Sequence, residues 1–307
     1  MRVAIVGGTG FIGSYLVDAL LSAGHQPALL VRPGSESKVH KADLCQLTPG
    51  SIDEADCLTL LVRGCDAVIF NIGILRENPR QGVTFEKLQY QGLVATADAA
   101  REAGVSRLLL MSANGAKLPG TPYQETKKRA EDYALRCGLD VTVIQPSVVF
   151  GDPRGLNEIA SQLYNDMIRP PLPAVAFHNG WRPASGYVEM SPVHVEDVAL
   201  AFVNALDDES TFGAVIELGG PEVLNWREML ERIAGAVGKN KWILPVPVKL
   251  MYVAASVLDR FAFFPVTRDQ LTMLAAGNVA GDRQLRKLIG RPPTAMVSAN
   301  LQYLRTD

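Results

Sequence analysis

Two short runs of residues carry the chemistry of this chain. In the first, Gly7-Gly8-Thr9-Gly10-Phe11-Ile12-Gly13 follows the apolar stretch Val3–Val6. Glycine at 7 permits a tight turn out of a strand. Glycine at 10 lets a phosphate approach the backbone with no Cβ in the way, and glycine at 13 lets the next helix sit close on the sheet. A helix beginning there offers unpaired N–H groups and a partial positive charge to an anion. A glycine triplet alone is a weak signal. Here it lies between a strand-like run and a helical stripe of Ile12, Tyr15, Leu16, Ala19 and Leu20, with Gly24 to close the helix. The spacing predicts a dinucleotide seat rather than a glycine-rich structural turn.

In the second run, Tyr123 precedes Lys127 by one turn if 123–137 is a helix, across a polar loop containing Ser112. A phenol can exchange a proton with a carbonyl or alcohol oxygen as hydride moves, provided its pKa falls from about 10 toward working pH. A neighbouring ammonium favours the phenolate and can also hold a nicotinamide ribose. An exposed helical pair is the ordinary meaning of such spacing. Its place after a fifth strand in a dinucleotide-binding unit turns it toward a cofactor.

Bringing these runs to one edge requires alternating strands and helices. Val3–Val6, Ala28–Val31, Ala67–Asn71, Arg107–Met111 and Val141–Gln145 read as strands, with helical patterns around 11–23, 56–63, 83–103 and 123–137. Lys41–Leu47 is the candidate third strand, poorly marked because Lys41 and Asp43 interrupt it. The alternation predicts an α/β fold, a Rossmann-type doubly wound parallel sheet with ligands at the carboxyl ends of its strands. After Gly151 the pattern changes to a proline-rich stretch (152–191) with one helical piece near 156–168. Val195–Leu206 then reads as a helix and Ala214–Leu218 as a strand, while the chain beyond 222 reads as mainly helical. The expected organisation is a core of 1–150 plus 192–220 and a smaller, mainly helical C-terminal substrate lobe of 151–191 plus 221–307.

Composition narrows the class. The 307 residues are 48% hydrophobic and 20% charged, with a formal net charge of −2 and no block of one sign, which gives no nucleic-acid surface. The four cysteines (45, 57, 65, 137) lack a Cys-x-x-Cys pairing, and the four histidines are scattered, so no metal site is expected. A first strand at residue 3 leaves no room for a targeting segment, so a cytoplasmic, reducing setting is expected. Ile243–Val266 is apolar but broken by Lys249, Asp259, Arg260 and prolines 245, 247 and 265, too interrupted to span a bilayer. Leu250, Met251, Ala254, Val257, Leu258 and Phe261 fall at helical spacing there. Two readings stay open: a helix packed on the substrate lobe, or contact with a membrane surface or protein partner. The second would place the chain peripherally at the inner membrane.

The glycine run and Tyr123-x-x-x-Lys127 together resemble the short-chain dehydrogenase/reductase superfamily, in its extended or atypical branch. Further segments resemble the NAD(P)-binding proteins related to the 39 kDa subunit of respiratory complex I, a group also labelled NAD-dependent epimerase/dehydratase-like. They are Asn71–Glu77, Thr84–Glu86, Met111–Ala116, Gln145–Gly151, Pro192–Ala199 and Thr267–Leu271.

The resemblance implies roles at matching positions. Gly7, Gly10 and Gly13 would hold the pyrophosphate, with backbone contacts from Thr9, Phe11 and Ile12. Asn71, Ile72 and Gly73 would border the cofactor, and Pro146, Ser147 and Val148 would lie by the nicotinamide. Tyr123, Lys127 and Ser112 would form the catalytic group, with Asn114 an alternative to Ser112. Arg32 stands where an acidic residue would accept the ribose hydroxyls of NAD; an arginine suits a 2′-phosphate, which favours NADP(H) over NAD(H). Homodimerisation through 83–103 and 123–137 is common in similar proteins. There are departures: Gly50-Ser51 stands where the family often has Gly-Asp, and Gln89 where related enzymes have asparagine.

His194 and Asp197 read as a structural junction, Asp197 in a helix start. Trp181, Arg182 and Tyr187 are either ligand contacts or packing. The leading functional expectation is an NAD(P)-dependent oxidoreductase acting at a carbonyl or alcohol of a small-molecule substrate. The alternatives are a catalytically silent NADPH-binding accessory or assembly protein, tied to complex I or quinone metabolism, and a sugar-nucleotide epimerase or dehydratase.

Overall fold

The computed structural model describes residues 1–180, 186–250 and 268–305. The chain divides into two units: 1–146 with 195–218 and 283–291, and 147–194 with 219–282 and 292–307.

The first unit is built on strands that are apolar from end to end. β1 (Arg2–Val6), β4 (Ala67–Phe70) and β5 (Arg107–Met111) read as unbroken hydrophobic runs because both faces of a parallel sheet are covered by helices. With β2 (Gln26–Val31), β3 (Gln46–Pro49), β6 (Asp140–Pro146) and the strand Val215–Leu218, they form a seven-stranded sheet. Its order is Val215–Leu218, β6, β5, β4, β1, β2, β3, and every neighbouring pair is parallel. Strand order reverses between β1 and β4, so the crevice for a ligand opens at their carboxyl ends. The α/β doubly wound expectation holds.

Helices α1 (Phe11–Ser22), α2 (Ala55–Val62), α3 (Gly92–Glu102) and α4 (Pro122–Ala134) connect the strands. Leu58, Leu61, Leu93, Ala97 and Ala130 pack with Val68, Phe70 and Leu108 in the core on one face of the sheet.

Four details differ from expectation. The third strand lies at Gln46–Pro49 rather than 41–47, because residues 42–44 form a 3-10 turn after Lys41 at φ +52°. Among the described residues β3 is an edge strand that pairs only with β2 and buries Thr48, so it carries no apolar signature. The helix expected from 83 begins as a π-helical turn, Glu86–Gln91, that runs into α3. Residues 283–291, expected in the substrate lobe, belong to the first unit. There Leu285 and Ile289 are buried, Asn204 Nδ2 donates to the Leu288 carbonyl at 2.7 Å, and Arg291 pairs with the fully buried Asp197 at 2.5 Å. Finally, the chain beyond 222 is not simply helical. Leu224–Asn225 pairs antiparallel with Glu189–Met190, and Ile243–Pro247 pairs parallel with Ala174–His178. Prolines 245 and 247 are tolerated because, among the described residues, Ile243–Pro247 is paired along one edge alone.

The second unit packs around the helix Trp226–Ala236, whose start is fixed by a capping box between Asn225 and Glu228. Met229, Leu230 and Ile233 bury against Phe150, Tyr164, Ile168 and Phe177. His194 rests edge-on against Phe150 in the short parallel pair Val193–His194 with Val149–Phe150. Tyr187 is half-buried and meets the His178 ring at 6.2 Å. Trp181 and Arg182 lie outside the described residues, as do Thr267 and the apolar sequence 251–266 with Met251, Ala254, Val257, Leu258 and Phe261. Among the described residues, no helix is long and apolar enough to cross a membrane.

Candidate functional site

The glycine loop joins β1 to α1 at the point where strand order reverses. Gly7 adopts φ +95°, and a Cβ there would come within 2.6 Å of the Asn71 carbonyl oxygen. The loop is tied to β4: the Asn71 amide donates to Val6 O at 2.8 Å, and Asn71 Nδ2 donates to Gly7 O at 3.3 Å. Gly13 sits directly under the loop, where a Cβ would lie 2.7 Å from the Gly8 carbonyl and closer still to the Gly7 oxygen. Gly10 is different. A Cβ there would meet only Gly7 O, at 3.5 Å, so its outer side is open. Gly10 is also the N-cap of α1, with no side chain capping the helix and no acidic residue in the first turn. Thr9, Phe11 and Ile12 are partly exposed around it. A 12-residue helix thus aims its uncapped N-terminus past an open glycine, which fits a dinucleotide pyrophosphate.

Arg32 follows β2, is exposed, and makes no ion pair among the described residues. At the neighbouring strand end stand the uncharged Gly50 and Ser51. A carboxylate stands two residues on: Asp53 accepts from Ser51 and from Lys87 Nζ at 2.7 Å, bonds that hold it down at about 2.

Tyr123 and Lys127 owe their place to the start of α4. Thr121 and Gln124 form a capping box, Pro122 occupies the first helical position, and Gln124 Nε2 holds the Gly115 carbonyl at 2.9 Å. Lys127 is 2% exposed and bridges two strand ends, its Nζ donating to the carbonyls of Ile72, just after β4, and Met111, in β5, both at 3.0 Å. Among the described residues two of its three protons are committed, which leaves one for a ligand hydroxyl. Desolvation pulls the ammonium down to about 8, against the opposing pull of the Glu131 carboxylate. Gly73 lies beside it, its hypothetical Cβ 3.8 Å from Nζ.

The Tyr123 ring stands edge-on to Phe85, centroids 5.6 Å apart. Its hydroxyl has no hydrogen bond among the described residues. Here an expectation is corrected: the phenol is not drawn toward neutral pH but pushed up to about 12. Loss of water around the ring dominates, while the lysine is turned to backbone carbonyls.

Ser112 is buried, and its hydroxyl donates to Glu131 Oε1 at 2.5 Å; the same oxygen accepts from Gln145 Nε2 at 2.6 Å. The structure therefore brings Ser112 to Glu131, a carboxylate 1% exposed that no motif singled out. The spacing Tyr123, Lys127, Glu131 was the available signal, one more turn along the same helical face. Asn114 is held through its amide to Pro146 O at 3.0 Å. Gln89, on the π turn, is 1% exposed; its Nε2 donates to Ile74 O at 2.9 Å and its Oε1 has no partner among the described residues.

Pro146 ends β6 and the first segment of the first unit. Ser147 and Val148 open the second, where Ser147 Oγ donates to Asn278 O at 2.7 Å and the Val148 carbonyl accepts from the Val193 amide at 3.0 Å.

The buried lysine yields a pH prediction. Its folded value of about 8 lies below the 10.5 of an exposed lysine, so the folded chain sheds a proton that the unfolded chain keeps between those values. Stability contributed at this site is therefore lowest below pH 8 and recovers as pH rises toward 10.5. Urea unfolding of wild type and Lys127→Met should show the gap shifting in favour of wild type by about 1 kcal/mol per pH unit in that window. A gap independent of pH would mean that the ammonium is not desolvated.

Residues 7–166 match the model of a family described as NAD(P)H-binding. The chain is 28% identical over 303 residues to the mitochondrial NADH dehydrogenase [ubiquinone] 1 alpha subcomplex subunit 9 of Arabidopsis thaliana, covering 92% of this chain and 71% of that protein. It is 26% identical over 267 residues to the ceramide reductase of Caulobacter vibrioides, covering 85% and 78%. Among solved structures, the UDP-glucose 4-epimerase of Thermus thermophilus in complex with NAD superposes with a TM-score of 0.73 at 20% identity, covering 100% and 99% of the two chains. At that identity the likeness is one of fold.

Proposed function

Because the chain belongs to the NAD(P)H-binding family, we propose that it is a reductase of the atypical short-chain dehydrogenase/reductase type, acting on the carbonyl of a small molecule with NADPH as the preferred nucleotide. The observation that supports this most is the clamp at Lys127, which fixes α4 across the ends of β4 and β5 and sets Tyr123 one turn before it. The nicotinamide nucleotide would supply the hydride. The chain's own residues do the rest. Gly7, Gly10, Gly13 and the first turn of α1 bind the pyrophosphate, and the remaining proton of Lys127 holds a ribose hydroxyl. Tyr123 delivers a proton to the substrate oxygen. A phenol held near 12 is fully protonated at neutral pH, which suits a proton donor in the reducing direction. Glu131 acts indirectly, fixing Ser112 and Gln145 behind the lysine.

Arg32 carries the nucleotide preference in this reading. An exposed guanidinium beyond β2 can make charge-assisted bonds to a 2′-phosphate. Arg32→Glu should weaken NADPH binding by about ten- to a hundredfold, the worth of one or two such bonds, with NADH affinity held or improved. Fluorescence titration with each nucleotide reads this directly, and equal losses for both would remove Arg32 from the phosphate site.

A second reading has its own support: a nucleotide-binding accessory protein without turnover. The Ser112 proton is committed to Glu131 and the phenol is raised rather than lowered. Among the relatives are the Arabidopsis thaliana protein named as a subunit of an NADH dehydrogenase and a Synechocystis protein named as a photosystem II assembly factor. Two measurements decide between the readings. Mass spectrometry of nucleotide released from the purified chain identifies what it holds. NADPH oxidation across aldehydes, ketones and quinones then supports the reductase, whereas tightly retained NADPH that none of them oxidises supports the accessory role.

A further inference from the structure

Two segments of the second unit run side by side and end in large exposed apolar side chains. The parallel strands Ala174–His178 and Ile243–Pro247 are joined at their starts by the Ala174 amide donating to Trp242 O at 2.8 Å. Just before these strands, Leu172 is 71% exposed and Trp242 74% exposed. The pair is held stiffly. Lys241 Nζ donates across to Ile168 O at 3.0 Å and to Pro170 O, and prolines 170, 171 and 173 restrict the first segment. Residues 164–173 and 237–242 carry Arg169, Lys239 and Lys241 against a single acid, Asp166. Arg169 and Lys239 are exposed beside the apolar pair, the Lys239 ammonium lying over the Tyr164 ring, 5.5 Å from its centroid.

An exposed tryptophan and leucine on a rigid support, flanked by cations, is the composition of an interfacial anchor. We propose that this edge of the second unit docks on a bilayer surface bearing anionic headgroups. Trp242 and Leu172 enter the boundary between headgroups and acyl chains, while Arg169 and Lys239 face the lipid phosphates. Charge complementarity sets the lipid class, since cations near an anionic leaflet each strengthen binding. The size of the feature argues against a stable protein partner. Two protruding side chains fall far short of the roughly 800 Å² per side that such interfaces bury, yet a few anchors plus basic residues give reversible attachment to a membrane. Stiffness adds to this, because the backbone that carries the side chains loses little freedom on docking. The anchor is distinct from the apolar stretch 243–266, and it stands independently of whether the chain turns over.

The full chain is tested by sedimentation with vesicles of phosphatidylcholine alone and of phosphatidylcholine mixed with phosphatidylglycerol. The expected result is binding to the mixed vesicles that weakens with added salt, and little binding to the neutral ones. Leu172→Ser with Trp242→Ser should lower affinity for mixed vesicles by about tenfold or more, and Arg169→Glu with Lys239→Glu by at least a similar factor. The thermal transition of the Leu172→Ser, Trp242→Ser variant should not move, since both side chains are exposed, and that of the Arg169→Glu, Lys239→Glu variant should fall only by the loss of the Lys239 ammonium from the Tyr164 ring. Absence of vesicle binding, equal binding to both vesicle types, or unaltered binding by either double variant overturns the proposal. So would a stable protein complex seated on this edge in place of the bilayer.

Discussion

Tyr123→Phe should lower turnover by about 10² to 10⁴ while leaving the chain folded and able to hold its nucleotide. The separation follows from the geometry. The hydroxyl has no hydrogen bond among the described residues, so its removal strands no partner. The ring itself, packed edge-on to Phe85, is preserved in the variant. Stability should therefore change by less than about 0.5 kcal/mol, and NADPH affinity should stay within about twofold, because ribose binding is assigned to Lys127. Three measurements on one pair of proteins suffice: a melting curve, a nucleotide titration and single-turnover NADPH oxidation with whichever carbonyl the wild type reduces. Equal rates for the two proteins would sink the reductase mechanism and leave the accessory reading standing. A large loss of stability would mean that the hydroxyl is engaged structurally after all.

The second large effect is a contrast between two glycines three residues apart. A Cβ at Gly13 would press on the carbonyls of Gly7 and Gly8, backbone atoms that cannot rotate away. Gly13→Ala should thus lift α1 from the loop, cost about 1–3 kcal/mol as overpacking does, and lose nucleotide binding with it. At Gly10 a methyl group has room in the folded chain, its nearest neighbour being Gly7 O at 3.5 Å. Gly10→Ala should cost less than about 1 kcal/mol, as an altered N-cap. Nucleotide affinity should nonetheless fall by about ten- to a hundredfold, because the methyl occupies the approach of the phosphate and each charge-assisted bond lost is worth roughly 1.5–3 kcal/mol. Urea unfolding and nucleotide titration of both variants separate a glycine needed for packing from one needed for the ligand. Retained affinity in Gly10→Ala would mean that the pyrophosphate lies elsewhere.

Much of this site could be read before any coordinates. The glycine run, the strand before it and the helix after it are local features, and their spacing dictates a strand–turn–helix with an anion-binding end. Tyr123 and Lys127 share a face because four residues make about one turn. The family followed from these residues and the matching segments, and residues 7–166 bear it out. Where the signal failed, the reason is physical. β3 is an edge strand that buries little, so its polar residues gave no period to detect. Arg283–Ile289 is helical in either setting, and only the surface on which Leu285 and Ile289 close assigns residues 283–291 to the first unit.

Short-range pattern, then, settled the fold class, the glycine turn between β1 and α1 and the placing of Tyr123 and Lys127 one turn apart on α4, because turn chemistry and helical periodicity act over a few residues. Tertiary structure alone decided how those groups are tuned. Lys127 is clamped by carbonyls 55 and 16 residues away, and Ser112 gives its proton to Glu131 19 residues on. A pKa depends on every atom that displaces water around a group, whatever its place in the chain. That is why the spacing announced a tyrosine and a lysine together, while only the packed neighbours revealed that burial raises one and lowers the other.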